Sequence, residues 1–141
     1  MEAKKNSIQL GSARFWTDVR NIIYCEFEDS MTYCHLDIES VKLYINTIVK
    51  LCNGKAMPFL IDLRNIRFTF SNEAVSFLAQ SSLLKTLIIS EVFILNSIGT
   101  KLLISAYKRI FDPIIPYSIF SDITLAQQYC IEAKNKFYGS N

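Results

Sequence analysis

Three short, nearly all-apolar runs, Met57–Leu63, Leu87–Leu95 and Tyr117–Phe120, alternate with stretches whose apolar residues recur every three or four positions. This alternation constrains the chain more than any other feature. A strand apolar on both sides must be covered on both faces, and strands separated by amphipathic helices run parallel with helical crossovers. Ile38, Val41, Ile45, Ile48 and Cys52 mark the inner face of the first helix. Ala74, Val75, Leu78 and Ser82 mark the second. Leu102, Leu103, Ala106, Tyr107 and Ile110 mark the third, and Leu125, Ala126, Tyr129, Cys130 and Ala133 the last. Asp37, Ser71, Ser97 and Asp122 stand where N-caps belong. Asn53-Gly54 stops the first helix, and Pro113 and Pro116 end the third.

Ahead of this alternation, Arg14–Asp18 and Ile22–Glu28 form a hairpin across a turn at Arg20-Asn21, with Phe15, Ile23, Cys25 and Phe27 on one face. A turn at Glu28-Asp29-Ser30 leads to a short third strand over Met31–Leu36. The expected organisation is a polar, frayed tail over 1–12, a single domain over 13–137 and a short tail over 138–141. The fold class is α/β: a mixed sheet with an N-terminal hairpin, then helices alternating with mostly parallel strands.

Half of the 141 residues are hydrophobic and the formal net charge is +2, which suits a packed domain. Over residues 41–141 the basic residues are scattered singly, apart from Lys108-Arg109, so no nucleic-acid footprint is legible. Lys85 and Glu91 break the longest apolar stretch, so no membrane span is expected. Cys25, Cys34, Cys52 and Cys130 lie in apolar stretches without a C-x-x-C, and His35 is the lone histidine. That pattern predicts buried free thiols and neither metal nor cofactor. With no apolar stretch after Lys4 and Lys5, a cytoplasmic address is expected.

Sites in such sheets gather where strand C-termini meet helix N-termini. Three junctions qualify: Asp62 to Ser71, containing Arg64; Asn96-Ser97 to Lys101; and Ser121-Asp122. Asp62, Arg64, Asn96, Ser97, Lys101 and Asp122 are the candidate binding rim, able to meet an anion at free helix N–H groups. Phosphate-loop, nucleophile-elbow and zinc-helix motifs are missing from the sequence. Asp62, His35 and Glu73 could supply acid and base, but no spacing joins them, so no catalytic residue is assigned.

Phe59 to Ser71 resembles the central motif of STAS domains, the SpoIIAA-like fold: an apolar strand ending in aspartate, a loop, and a serine opening a helix. Gly54-Lys55-Ala56-Met57-Pro58-Phe59-Leu60-Ile61-Asp62-Leu63-Arg64 is similar to a G-K-x-x-P-x-L-I-D-x-R pattern. Asn96-Ser97 with Lys101, and Pro116 with Ile119-Phe120, Asp122 and Ala126, match two further patterns of one branch. That branch comprises small STAS/SEC14-like proteins of Bacteroidetes, and the likeness spans roughly residues 13–135. The resemblance implies a SpoIIAA-like mixed sheet, and Ser71 as the serine that kinases phosphorylate in regulatory members. Those members read Asp-Ser-Ser-Gly; this chain has Phe70-Ser71-Asn72-Glu73.

Two functions follow as expectations. One is a non-enzymatic regulatory module that meets a protein partner through the rim, with Ser71 as a switch. The other is a protein that binds a small apolar or anionic ligand, as SEC14-like relatives hold lipids. A homodimer through an apolar hairpin edge, Phe15-Trp16 and Ile22-Ile23, is a further expectation.

Overall fold

The structure is a computed structural model, and it describes residues 5–28 and 33–139. Six strands form the main sheet: β1 (Lys5–Leu10), β2 (Ala13–Thr17), β3 (Ile23–Phe27), β5 (Met57–Asp62), β7 (Ile88–Ile94) and β8 (Tyr117–Phe120), in that spatial order. β1, β2 and β3 are antiparallel neighbours, and β3, β5, β7 and β8 run parallel. β4 (Tyr33–Leu36) and β6 (Arg67–Phe70) form a separate two-stranded parallel sheet. The helices are α1 (Ile38–Cys52), α2 (Asn72–Ala79), α3 (Ser82–Leu87), α4 (Ile98–Ile110) and α5 (Ile123–Phe137).

Alternation along each strand divides the core in two. Phe15, Ile23, Cys25, Phe59, Ile61, Phe93 and Leu95 point to one side and pack with Val41, Ile45 and Ile48 of α1, Ala74, Leu84 and Ile104. Trp16, Tyr24, Leu60, Val92 and Ile94 point to the other, where Ala126 and Cys130 of α5 close on them. α5 therefore covers one face alone, and the other helices with the small sheet build up the opposite face.

The expected hairpin, helices and parallel strands are present, with Asp37, Ser71, Ser97 and Asp122 capping α1, α2, α4 and α5. Five readings are corrected. The supposed tail contains β1, whose Ile8 and Leu10 pack on the core, while Gly11 at φ 59° turns the chain back. β2 is thereby an inner strand, so Phe15, Trp16, Ile22 and Ile23 are buried within the chain and are not an open dimer edge. The loop before Ser71 contains β6, which pairs with β4, while Asp29–Thr32 of the expected turn and third strand lie outside the described residues. The second helix breaks at Gln80-Ser81, where the Ser81 hydroxyl accepts from Leu84 N and starts α3; Ser82 is exposed. Finally, Leu102, Ile110 and Leu125, expected inside, face solvent; Thr100, Ile104, Tyr107 and Lys108 form the buried side of α4.

Candidate functional site

The parallel strands bring Asp62, the Asn96 loop and Asp122 to the same edge of the sheet. Arg64 folds back on Asp62: its Nε donates to Oδ1 at 3.0 Å and its Nη2 to Oδ2 at 2.7 Å. This bond holds the Arg64 guanidinium above its ordinary pKa, with the charges of Asp62 and Asp122 adding to the effect. Asn65 takes φ 66°, which Asn tolerates. Its N–H donates to Asn96 Oδ1 at 3.0 Å, and Asn96 Nδ2 donates back to Asn65 Oδ1 at 2.8 Å. The two loops are thus stitched by a reciprocal amide pair.

Asp62, Arg64, Asn65 and Asn96 line an open polar recess of about 340 Å³ with Glu26, Phe27, Glu28 and Ile66. Glu26, Glu28 and Asp62 stand around the recess, with Arg64 paired to Asp62 and Arg14 reaching Glu26 at 3.8 Å, so its walls hold more carboxylates than guanidinium groups and disfavour an anion. The other rim candidates stand apart from it. Ser97 Oγ accepts from Thr100 N, Asp122 Oδ1 from Thr124 N, and Ser71 Oγ from Ala74 N at 3.1 Å, all as helix caps. Lys101 is exposed on α4. Ser71 follows β6 of the small sheet, tied by its N–H to Leu36 O, and does not line the recess. His35 bonds Thr69 on that small sheet, Asp62 is held by Arg64 and Glu73 is exposed on α2, so the three are not assembled.

The second concavity bears on the expectation of a small apolar ligand, though none of its lining was assigned to a site from the sequence. Within the many-helix face lies a partly open cavity of about 140 Å³ with an overwhelmingly apolar wall. Phe15, Phe27, Phe59 and Phe93 rise from the sheet, Tyr44 and Ile48 come from α1, Leu36, Phe68 and Phe70 from the small sheet, and Ile104 and Tyr107 from α4. Phe27 meets Phe68 edge-on, and Phe70 meets Tyr107 likewise, which ties the small sheet to both flanks of the cavity.

Glu91 is the charged residue in this wall. Lys108 Nζ donates to Glu91 Oε1 at 2.5 Å and to Asp112 Oδ2 at 3.0 Å. Burial pushes the Glu91 carboxyl up, Lys108 opposes this and Asp112 adds to it. The hydroxyl of Tyr107 is buried and finds no hydrogen-bond partner among the described residues, and burial with the charges of Glu91 and Asp112 drives its pKa upward. The sequence did carry a signal: a glutamate in the middle of an apolar strand, and a Lys-Asp pair four apart on a helix. The thiols are free and buried, with Cys52 raised to about 11 and Cys130 to about 12 by burial. Among the described residues no group of side chains could hold a metal ion, and no helix is long and apolar enough to cross a membrane.

Comparison with known proteins places this geometry. Residues 15–134 match the family model of a domain of unknown function (DUF7793), and the chain belongs to that family. It is similar in structure to an uncharacterised protein of the DUF3478 family with a SpoIIAA-like fold from Shewanella loihica PV-4. The TM-score is 0.55 at 12% identity, over 92% of this chain and 97% of that one. The likeness shows the fold: a SpoIIAA-like mixed α/β sheet. No curated protein matches the chain.

Proposed function

We propose that this member of the DUF7793 family is a binding module that holds a small, mainly apolar molecule between its sheet and the many-helix face. One observation carries the reading: a cavity of about 140 Å³ walled by aromatic and aliphatic side chains from the sheet, α1, α4 and the small sheet. Interiors are normally packed as tightly as organic crystals, so a void of this size is a departure that a ligand repairs. An apolar cavity of about 150 Å³ stays dry and admits a benzene-sized guest. The β4–β6 sheet forms part of the wall without joining the main sheet, and it is the element that can yield to admit a guest.

The test is direct. Titrating the full chain with ethylbenzene raises Tm, since a guest at a hundred times its Kd stabilises by about 2.7 kcal/mol. Ile104→Phe places a ring in the void and abolishes that response while keeping the far-ultraviolet spectrum. Leu103→Phe is the second filler if Ile104→Phe does not fold. An unchanged Tm with ethylbenzene, together with a bare mass in native mass spectrometry, overturns the reading.

The rim supports a second reading, a protein contact. The reciprocal Asn65–Asn96 pair holds Arg64 and Asp62 in one place, and the surplus of carboxylates in the recess suits a basic side chain of a partner. Asn96, Ser97, Lys101 and Asp122 extend that surface along the strand ends. A phosphate on Ser71 takes the oxygen that now caps α2 and adds about two negative charges next to Glu73. Mass spectrometry of the protein from its own host decides the switch: no phosphate on Ser71 under any growth condition removes it.

A further inference from the structure

The apolar cavity has one charged corner, and its charge does not balance. Asp112, Lys108 and Glu91 form a row of alternating sign, negative, positive, negative, joined by hydrogen bonds from Lys108 Nζ. All three residues are more than nine-tenths buried, so solvent does little to screen them. Lys108 and Asp112 lie behind the wall, and Glu91 belongs to it. Lys108 uses Glu91 Oε1; among the described residues, Oε2 has no hydrogen-bond partner. With all three groups ionised the row sums to one negative charge, and Glu91 is the member of it that lines the cavity.

We infer that the ligand is a small apolar amine, its ammonium group on Glu91 Oε2 and its ring or short chain among the aromatic side chains of the cavity. The inference rests on the cavity reading above and names the class of molecule. A cation continues the alternation and brings the row to neutrality, whereas buried charges left uncompensated are costly. Charge-assisted hydrogen bonds are also roughly twice as strong as neutral ones. The faces of Phe59, Phe93 and the other rings carry negative quadrupole charge, which favours a cation over an anion. The volume limits the apolar part to about one ring.

Four probes of one size and different polarity test this on the full chain: benzylamine, benzyl alcohol, ethylbenzene and benzoate, titrated by calorimetry. Benzylamine binds roughly tenfold or more tightly than benzyl alcohol, in keeping with a hydrogen bond to a charged group. Ethylbenzene binds more weakly than benzylamine, and benzoate does not bind. Glu91→Gln reduces the amine's advantage over the alcohol to less than about twofold. Asp112→Asn, which removes the surplus charge without touching the cavity wall, weakens benzylamine in the same direction and stands in if Glu91→Gln does not fold. Benzyl alcohol or ethylbenzene binding as tightly as benzylamine overturns the amine and leaves the cavity reading intact. Failure of all four to bind overturns the cavity reading itself.

Discussion

The two faces of the main sheet solve one packing problem in opposite ways. On the α5 face, Trp16 stacks on Tyr24 at 5.1 Å, and Ala126 and Cys130 are fully buried. The charge there is Asp18, and it is saturated. It accepts from the backbone N–H groups of Arg20 and Ile22, from the Arg20 guanidinium and from the Tyr24 hydroxyl, which in turn accepts from Gln127 of α5. On the opposite face several helices and a separate small sheet share the cover. That face keeps a cavity, an unpartnered Tyr107 hydroxyl and a three-charge row that does not sum to zero. A face closed by one helix can be completed. A face assembled from several pieces leaves room, and its polar groups are left to be satisfied by something else.

The largest expected effect lies on the closed face. Asp18→Ala removes the carboxylate that holds the Arg20 guanidinium, the Tyr24 hydroxyl and two backbone N–H groups at once, and losing one partner of such a network costs about 3–5 kcal/mol in urea unfolding. Next come matched insertions. Ala126→Leu forces a larger side chain into the packed face and costs about 1–3 kcal/mol, while Ile104→Phe on the hollow face costs less than Ala126→Leu or raises stability. Equal costs for the two would remove the distinction between the faces. Third is a matched pair of hydroxyls. Tyr24→Phe loses bonds to Asp18 and Gln127 and destabilises by about 1–2 kcal/mol, while Tyr107→Phe removes a buried hydroxyl that bonds nothing and is neutral or stabilising by about 1 kcal/mol.

Burial was legible on both faces; the hollow was not. Period-two alternation in the hairpin put Phe15, Ile23, Cys25 and Phe27 on what is the many-helix face, and period-three-four spacing put Val41, Ile45 and Ile48 of α1 and Ala126 and Cys130 of α5 inside, although Leu125 of the same α5 pattern faces solvent. Caps were equally legible, because Asp37, Ser71, Ser97 and Asp122 act through groups two or three residues away. β1 and β6 were missed because each is short and half polar, and pairing with a distant strand, not local pattern, makes them strands. The α4 face was misjudged because its inner side includes Thr100 and Lys108, which hydropathy sends outward. The same blindness hid the charged corner: a row built from Glu91 on a strand and Lys108 and Asp112 around a helix end is a tertiary fact. Of the recess, the rim candidates Asp62, Arg64 and Asn96 form part of the lining, whereas Glu26 and Glu28 come from the end of the hairpin, which no strand-end rule singles out.

A smaller effect follows from that corner through pH. Glu91 is held above its ordinary carboxyl value by burial, with Lys108 opposing and Asp112 reinforcing the shift, and Tyr107 facing the same charges. A group whose pKa is higher in the folded chain binds protons preferentially when folded. Its contribution to stability is therefore fully present below the ordinary value near 4.5 and is lost as pH rises through the folded value. The urea midpoint carries this falling component upward from about pH 4.5, and Glu91→Gln removes it. A wild-type profile identical to that of Glu91→Gln across the window contradicts the direction of the shift.

The smallest effect is one of rate and needs no substitution. Cys130 is sealed under α5 and its thiol is pushed up to about 12, so it reacts only when that helix leaves the sheet. Cys34 is also buried and raised by burial, but it sits on β4, whose one strand partner among the described residues is β6. Two strands alone are marginally stable in water, and their hold on the domain is side-chain packing around the cavity. Local opening of such a unit costs less than global unfolding. With a thiol reagent near neutral pH, Cys34 is expected to be modified well before Cys130, and a cavity ligand slows Cys34 while leaving Cys130 untouched. If both thiols react together at the rate of global unfolding, the small sheet does not open alone, and a guest must enter by another route.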